Sequence, residues 1–240
     1  MALPKIDTPV YEITLPISQV QLKFRPFLVK EQKILLIAME SKDEKEIENN
    51  IQMILNNCNL TDVNIDTLPL VDIEYYFLNL RARSVGEVVD TRYKCENEVN
   101  GETCGNLMDV NFDILNVNVT SPPEGSDLIK ISDSVGIKMR YPNFEVSKKI
   151  KSNDSLTDSA FKLVIECIEY IYDNDTLYYA NEVSQEELLN FIESMTKEQF
   201  EKIEFFIDNL PKLDKIVDIK CKKCGFDHKI ELQGLQSFFG

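Results

Sequence analysis

The chain has 240 residues, 43% of them hydrophobic, and a formal net charge of −15. That length buries a sizeable core without help from a metal, in one large domain or two small ones. So acidic a surface repels phosphate backbones and anionic membranes, which argues against bulk binding to nucleic acid or lipid.

The first residues, MALPKIDTPV, hold no apolar h-region, and no apolar run approaches the roughly 20 residues of a membrane span. The expectation is a protein of a reducing cytoplasm, where spaced cysteines serve metals rather than disulfides. Residues 10–28 alternate through Tyr11, Ile13, Leu15, Val20, Leu22 and Phe24, with a break at Pro16 to Gln19, and predict a β-hairpin. From Val29 the period lengthens, and Ile34, Leu35, Ala38 and Met39 form a helical stripe. A second helix begins near Asp43 with Ile47, Ile51, Ile54 and Leu55 on one face. Pro69 opens a third, which Gly86 ends.

Residues 88–119 return to strand-like alternation, SPPEGSD (121–127) reads as a loop, and VGIKMRY (135–141) as another strand. Beyond it the periodicity predicts a helical region over 155–210, with one helix over 157–172. Ser184 with Glu187, and Thr196 with Gln199, form capping boxes for two more helices, and Pro211 stops the last. The chain closes on VDIKCKKCGFDHKIEL and an apolar tail. Strands and helices come in groups, without regular βαβ alternation. The fold class is therefore α+β, read as a single unit over 1–240.

Four cysteines carry the clearest chemistry. Cys221-Lys222-Lys223-Cys224-Gly225 lies between two strand-like runs, the pattern of a zinc knuckle. Glycine after the second cysteine allows the positive φ that turns backbone N–H groups toward sulfur. The first pair, Cys95 and Cys104-Gly105, is spaced more widely, yet its flanks match. Val89-Asp90 and Lys94 precede Cys95 as Val217-Asp218 and Lys220 precede Cys221, and each pair ends in Cys-Gly before a strand. We read two hairpins facing each other across one four-cysteine zinc site, with Asn100-Gly101 turning a longer fingertip on the first. Together they make a split zinc-ribbon-like module from 88–119 and 215–233. The alternatives are two unrelated hairpins with free thiols, a disulfide, or His228 replacing one ligand. Four thiolates leave no position for water, so the zinc is read as structural, a clamp across a long loop. Cys58 and Cys167 sit on apolar helical faces and read as core residues.

Nothing else points to catalysis. No phosphate-binding glycine loop or nucleophile elbow is present, and His228 is the sole histidine. The acidic clusters at Asp43–Glu48 and Glu186–Glu187 read as solvated helix faces. Arg92, Lys94, Lys220, Lys222, Lys223 and Lys229 are expected near the zinc, with Arg81 and Arg83 extending a basic face. They offset thiolate charge or meet an acidic protein, with nucleic acid as the alternative. The apolar residues Leu232, Leu235, Phe238 and Phe239 are read as a tail for a partner.

Two segments carry a family resemblance. LPISQVQLKFRPFLVKEQKILLIAMES, followed by LPLVDIEYYFLNLRARSVGEVV, resembles the baseplate hub and hub-assembly proteins of T-even-type contractile-tailed bacteriophages, most clearly over residues 10–90. The resemblance implies a non-enzymatic hub component or assembly chaperone whose partners are other baseplate hub and tail proteins. It brings no catalytic residues, and hub symmetry allows an oligomer. Its expected locations are the host cytoplasm during assembly and the virion tail baseplate. A nucleic-acid-binding zinc ribbon is the alternative function, and a hub-associated hydrolase the third.

Overall fold

The computed structural model describes residues 6–41, 44–150 and 155–233. The chain begins with a hairpin of β1 (Tyr11–Thr14) and β2 (Gln21–Phe24), then α1 (Val29–Ser41), α2 (Glu44–Cys58) and α3 (Leu70–Ser84). Next come β3 (Val88–Lys94), β4 (Glu98–Val99), β5 (Glu102–Thr103), β6 (Leu107–Asp113) and β7 (Asn118–Thr120). The following stretch holds β8 (Leu128–Lys130), β9 (Val135–Met139), α4 (Phe144–Lys149), α5 (Leu156–Glu166), β10 (Ile168–Asp173), β11 (Thr176–Tyr179), α6 (Gln185–Glu193) and α7 (Lys197–Asp208). It ends with β12 (Lys212–Lys220) and β13 (Asp227–Gln233). Helices mixed with antiparallel sheets make the α+β class expected from sequence.

The sequence reading is of one unit; the backbone groups into two compact units. The first comprises residues up to Ile65, Val71–Thr120 and the chain from Lys212, and the second comprises Asp66–Leu70 and Ser121–Pro211. Residues 121–211 close a sheet and a core of their own, which is why they separate.

In the first unit, β1 and β2 pair in the register Tyr11↔Phe24 to Thr14↔Gln21. Alternation buries Leu22 and Phe24, and the Phe24 ring meets Tyr76 of α3 edge-on at 5.4 Å. The Tyr76 hydroxyl, buried with its ring, donates to the Leu55 carbonyl of α2 at 3.2 Å. Two buried carboxylates fix this region. Asp72 accepts from the backbone N–H groups of Ile17 and Ser18 at 2.9 and 2.8 Å, tying the hairpin turn to α3. Glu31 accepts from Arg25 at 3.0 Å and from the Leu28 N–H at 2.8 Å. The other face of α3, with Val71, Leu78 and Ala82, packs on Val89, Val110 and Phe112 of β3 and β6 and on Leu213 and Leu232 of β12 and β13. β12 is central in its sheet, with β13 and β7 on either side.

The second unit is an antiparallel sheet in the order β11-β10-β9-β8. Val164 of α5, Leu188 and Ile192 of α6, and Ile203 and Phe206 of α7 pack against Ile129, Ile137, Met139, Ile168 and Ile171. Both expected capping boxes are present, each with its reciprocal pair of hydrogen bonds. The helix predicted over 157–172 stops at Glu166, and the 155–210 region contains a β-hairpin, β10–β11. Phe161, Val164, Ile165, Ile168, Ile171 and Tyr172 do recur at helical spacing. What ends the helix is the strand preference of the β-branched and aromatic run IEYIYD and the turn at Asn174, held at φ 51°. The pairing is completed at Gly136, opposite Tyr172: a Cβ there would lie 2.3 Å from the Tyr172 hydroxyl.

Candidate metal centre

The two cysteine pairs are built by the same local device. Cys95 follows β3, and Gly105 returns its N–H to the Cys95 carbonyl at 3.0 Å. Cys221 follows β12, and Gly225 returns its N–H to the Cys221 carbonyl at 2.8 Å. The residue after each glycine, Asn106 or Phe226, accepts from the N–H of the first cysteine at 2.8 Å in both cases. Gly105 and Gly225 stand at φ 65° and 75°, the left-handed region their sequence positions anticipate. Between Cys95 and Cys104 the extra residues form the small hairpin β4–β5. Its Asn100-Gly101 turn takes positive φ at both positions, as a type I′ turn requires.

The knuckles bring all four sulfurs together. The Sγ atoms of Cys95, Cys104, Cys221 and Cys224 lie within 4.8 Å of one another, from residues 117 to 129 positions apart across the two pairs. Cys95–Cys224 is 3.6 Å and Cys104–Cys221 is 3.9 Å. Four sulfurs around one ion at a metal–sulfur length of ~2.3 Å are separated by ~3.8 Å along each tetrahedral edge. The two distances bracket that value, so the set can hold a metal ion. Cys95, Cys104 and Cys221 are buried, and Cys224 is half-buried. All six cysteines are free thiols.

The thiols are electrostatically unequal. Burial and the neighbouring thiols push Cys95 up, whereas the backbone N–H groups of Cys224 and Lys223 pull Cys221 down to about 6. Side chains add further donors. Asn106 Nδ2 donates to Cys221 Sγ at 3.5 Å and Asn97 Nδ2 to Cys224 Sγ at 3.7 Å. His228 Nε2 lies 3.1 Å from Cys95 Sγ, with its ring set edge-on against Phe226 at 4.8 Å. His228 thus borders one sulfur from the strand after the knuckle, outside the four-sulfur cluster. N–H groups that support the sulfurs orient ligands and stabilise thiolate charge.

The profile of a family described as T4 bacteriophage base plate protein matches residues 8–240. The chain belongs to this family. It is also 25% identical to the "Baseplate hub assembly protein gp26" of Enterobacteria phage T4, over 95% of this chain and 97% of that protein. No solved structure matches.

Four of the basic residues expected around the cysteines bond to oxygen. Lys223 Nζ donates to the Cys104 carbonyl at 3.0 Å, Arg92 pairs with Asp109 at 2.8 Å, Arg83 with Glu87 at 2.7 Å and Lys220 with Asp227 at 3.7 Å. The amide and imidazole groups beside the sulfurs carry no sequence signal beyond lying within two to four residues of a cysteine. Cys58 and Cys167 are buried, as expected of core residues, and burial pushes their thiols up to about 11 and about 12. Leu232 of the apolar tail is buried in the first unit's core, while Leu235, Phe238 and Phe239 lie outside the described residues, as does Asp43. Among the described residues, no helix is long and apolar enough to cross a membrane.

Proposed function

We infer that this base plate protein is a non-enzymatic assembly protein of the tail baseplate hub, acting by contact with other hub and tail proteins. The observation that carries this reading is similarity along nearly the whole of both chains to a hub assembly protein. Assembly would take place in the host cytoplasm, and chaperoning of a hub subunit is the form of action this reading favours. Co-expression with the hub and tail proteins of the same phage, followed by size-exclusion chromatography, tests it. A co-eluting complex is the expected result. Separate elution of this chain from every one of those proteins would overturn it.

We also infer that Cys95, Cys104, Cys221 and Cys224 bind one structural zinc ion. Support comes from the separation of the sulfurs, from the all-thiolate donor set, and from the N–H groups beside them. Thiolates select zinc over hard cations such as magnesium or calcium. The knuckles and their strands, 88–119 and 215–233, then form one zinc-ribbon-like module. Elemental analysis of protein purified without added metal should find one zinc per chain, and a folded, metal-free protein would overturn this reading. Absorption after cobalt substitution separates a four-sulfur site from one in which His228 has replaced a cysteine.

A further inference from the structure

The sheet of the second unit treats its two edges differently. At β8, α7 covers the edge: Lys202 Nζ donates to the outward-facing Lys130 carbonyl at 2.7 Å. The Lys202 side chain occupies an acceptor that an incoming strand would need. At the opposite edge, β11 has no outer partner among the described residues.

The register fixes which backbone groups of β11 point outward. Ala180 donates its N–H inward to Glu169 at 3.0 Å. Inward and outward groups alternate along an antiparallel strand. Tyr178, like Ala180, therefore bonds inward to β10. Leu177 points its N–H and C=O outward and Tyr179 its N–H, while the Tyr179 carbonyl accepts from the Glu182 N–H at 2.9 Å. The strand also lacks the usual protection of an edge. Its sequence, Thr-Leu-Tyr-Tyr, contains no lysine, proline or bulge, and Leu177, Tyr178 and Tyr179 are each more than 40% exposed.

Charge says what would cover it. Between Lys162 and Lys197 the chain carries carboxylates and no lysine or arginine. Glu169, Asp173, Asp175 and Glu182 surround the hairpin. A second copy laid antiparallel on β11 would bring these acidic ends together, on two chains each carrying −15. A basic segment would meet complementary charge. We propose that β11 is a docking edge that takes an extended, basic segment of a partner protein as an added strand. Its backbone would bond to the N–H and C=O of Leu177 and to the N–H of Tyr179, and its apolar side chains would lie against the exposed Leu177, Tyr178 and Tyr179.

This names a surface for the protein–protein role inferred above and rests on that reading, but its test needs no hub protein. The probe is a short labelled peptide alternating lysine and valine, titrated by fluorescence anisotropy into the full-length protein, with a glutamate–valine peptide as control. The lysine peptide should bind saturably, and binding should protect the Leu177 and Tyr179 amides from hydrogen exchange. Leu177→Pro removes an outward N–H and leaves the inward ladder intact, so it should weaken binding at least tenfold with the thermal midpoint retained. Tyr178→Lys, which places a like charge on the edge, provides a second variant should the first fail to fold. Binding unchanged in the folded variants, or protection elsewhere, would show attraction to the acidic surface alone and overturn the proposal. So would no binding of the lysine peptide, or a dimer that Leu177→Pro dissolves. Failure here with hub complexes intact removes only the edge; loss of all hub complexes removes the wider reading.

Discussion

Replacing Cys221 with serine removes a sulfur that reaches both hairpins' partners, and its consequence follows from chain length. Cys104 and Cys221 are 117 positions apart, so a metal joining them closes a loop of that size in any unfolded chain that keeps its ligands. The chain entropy removed by such a link amounts to about 5 kcal/mol at room temperature. The effect should be local as well as large. Amide exchange should accelerate in β3, β6, β12 and β13, whose strands the two knuckles join, and should change least in α5, α6 and α7 of the second unit. Urea unfolding of zinc-loaded wild type, chelator-treated wild type and Cys221→Ser gives the comparison. The last two should coincide, each several kcal/mol below the first. A chelated protein within about 1 kcal/mol of the loaded one would refute the reasoning.

Asp72→Ala strands the N–H groups of Ile17 and Ser18 and should cost about 3–5 kcal/mol in chemical denaturation, with Asp72→Asn retaining part of that because one acceptor survives. Burial raises the Glu31 carboxyl, but Arg25 and the Leu28 N–H outweigh it and hold the group below the usual carboxylate range. Its contribution is therefore complete above the unfolded pKa of ~4.3 and is lost as pH falls through the lower folded value. Glu31→Gln should accordingly flatten the acid limb of the stability–pH curve measured by thermal unfolding. Gly136→Ala forces a methyl into the Tyr172 ring and should cost about 1–3 kcal/mol, with recovery in the Gly136→Ala/Tyr172→Val double variant.

Much of this was legible in the sequence because its signals were local. Ser184 with Glu187 and Thr196 with Gln199 are complete instructions within four residues, and both capping boxes form. The repeated Cys-Gly ending of the two knuckles let cysteines over a hundred residues apart be placed together, because each hairpin could be recognised alone. The β10–β11 hairpin was less legible because its apolar residues also fit a helix, and only the β-branched and aromatic run IEYIYD and the turn at Asn174 separate the two readings. Asp72 and Glu31 were missed for a different reason. A carboxylate bound for burial looks like any other until its donors, such as the N–H groups of Ile17 and Ser18 some 54–55 positions away, are in view. His228 stood near Cys224 in the sequence, but its neighbour is Cys95, 133 positions back.

The order in which the chain delivers its cysteines has a consequence for synthesis. Cys95 and Cys104 leave the ribosome first, followed by the whole of 121–211, and only then Cys221 and Cys224. A chain that stops before Cys221 therefore offers only two of the four clustered sulfurs, too few to retain an ion against cellular thiols. β12, the middle strand of its sheet, arrives in the same late segment as the second knuckle. If the four sulfurs hold a metal, its capture waits for β12 and the second knuckle, so the first unit closes only after the whole of 121–211 has been made.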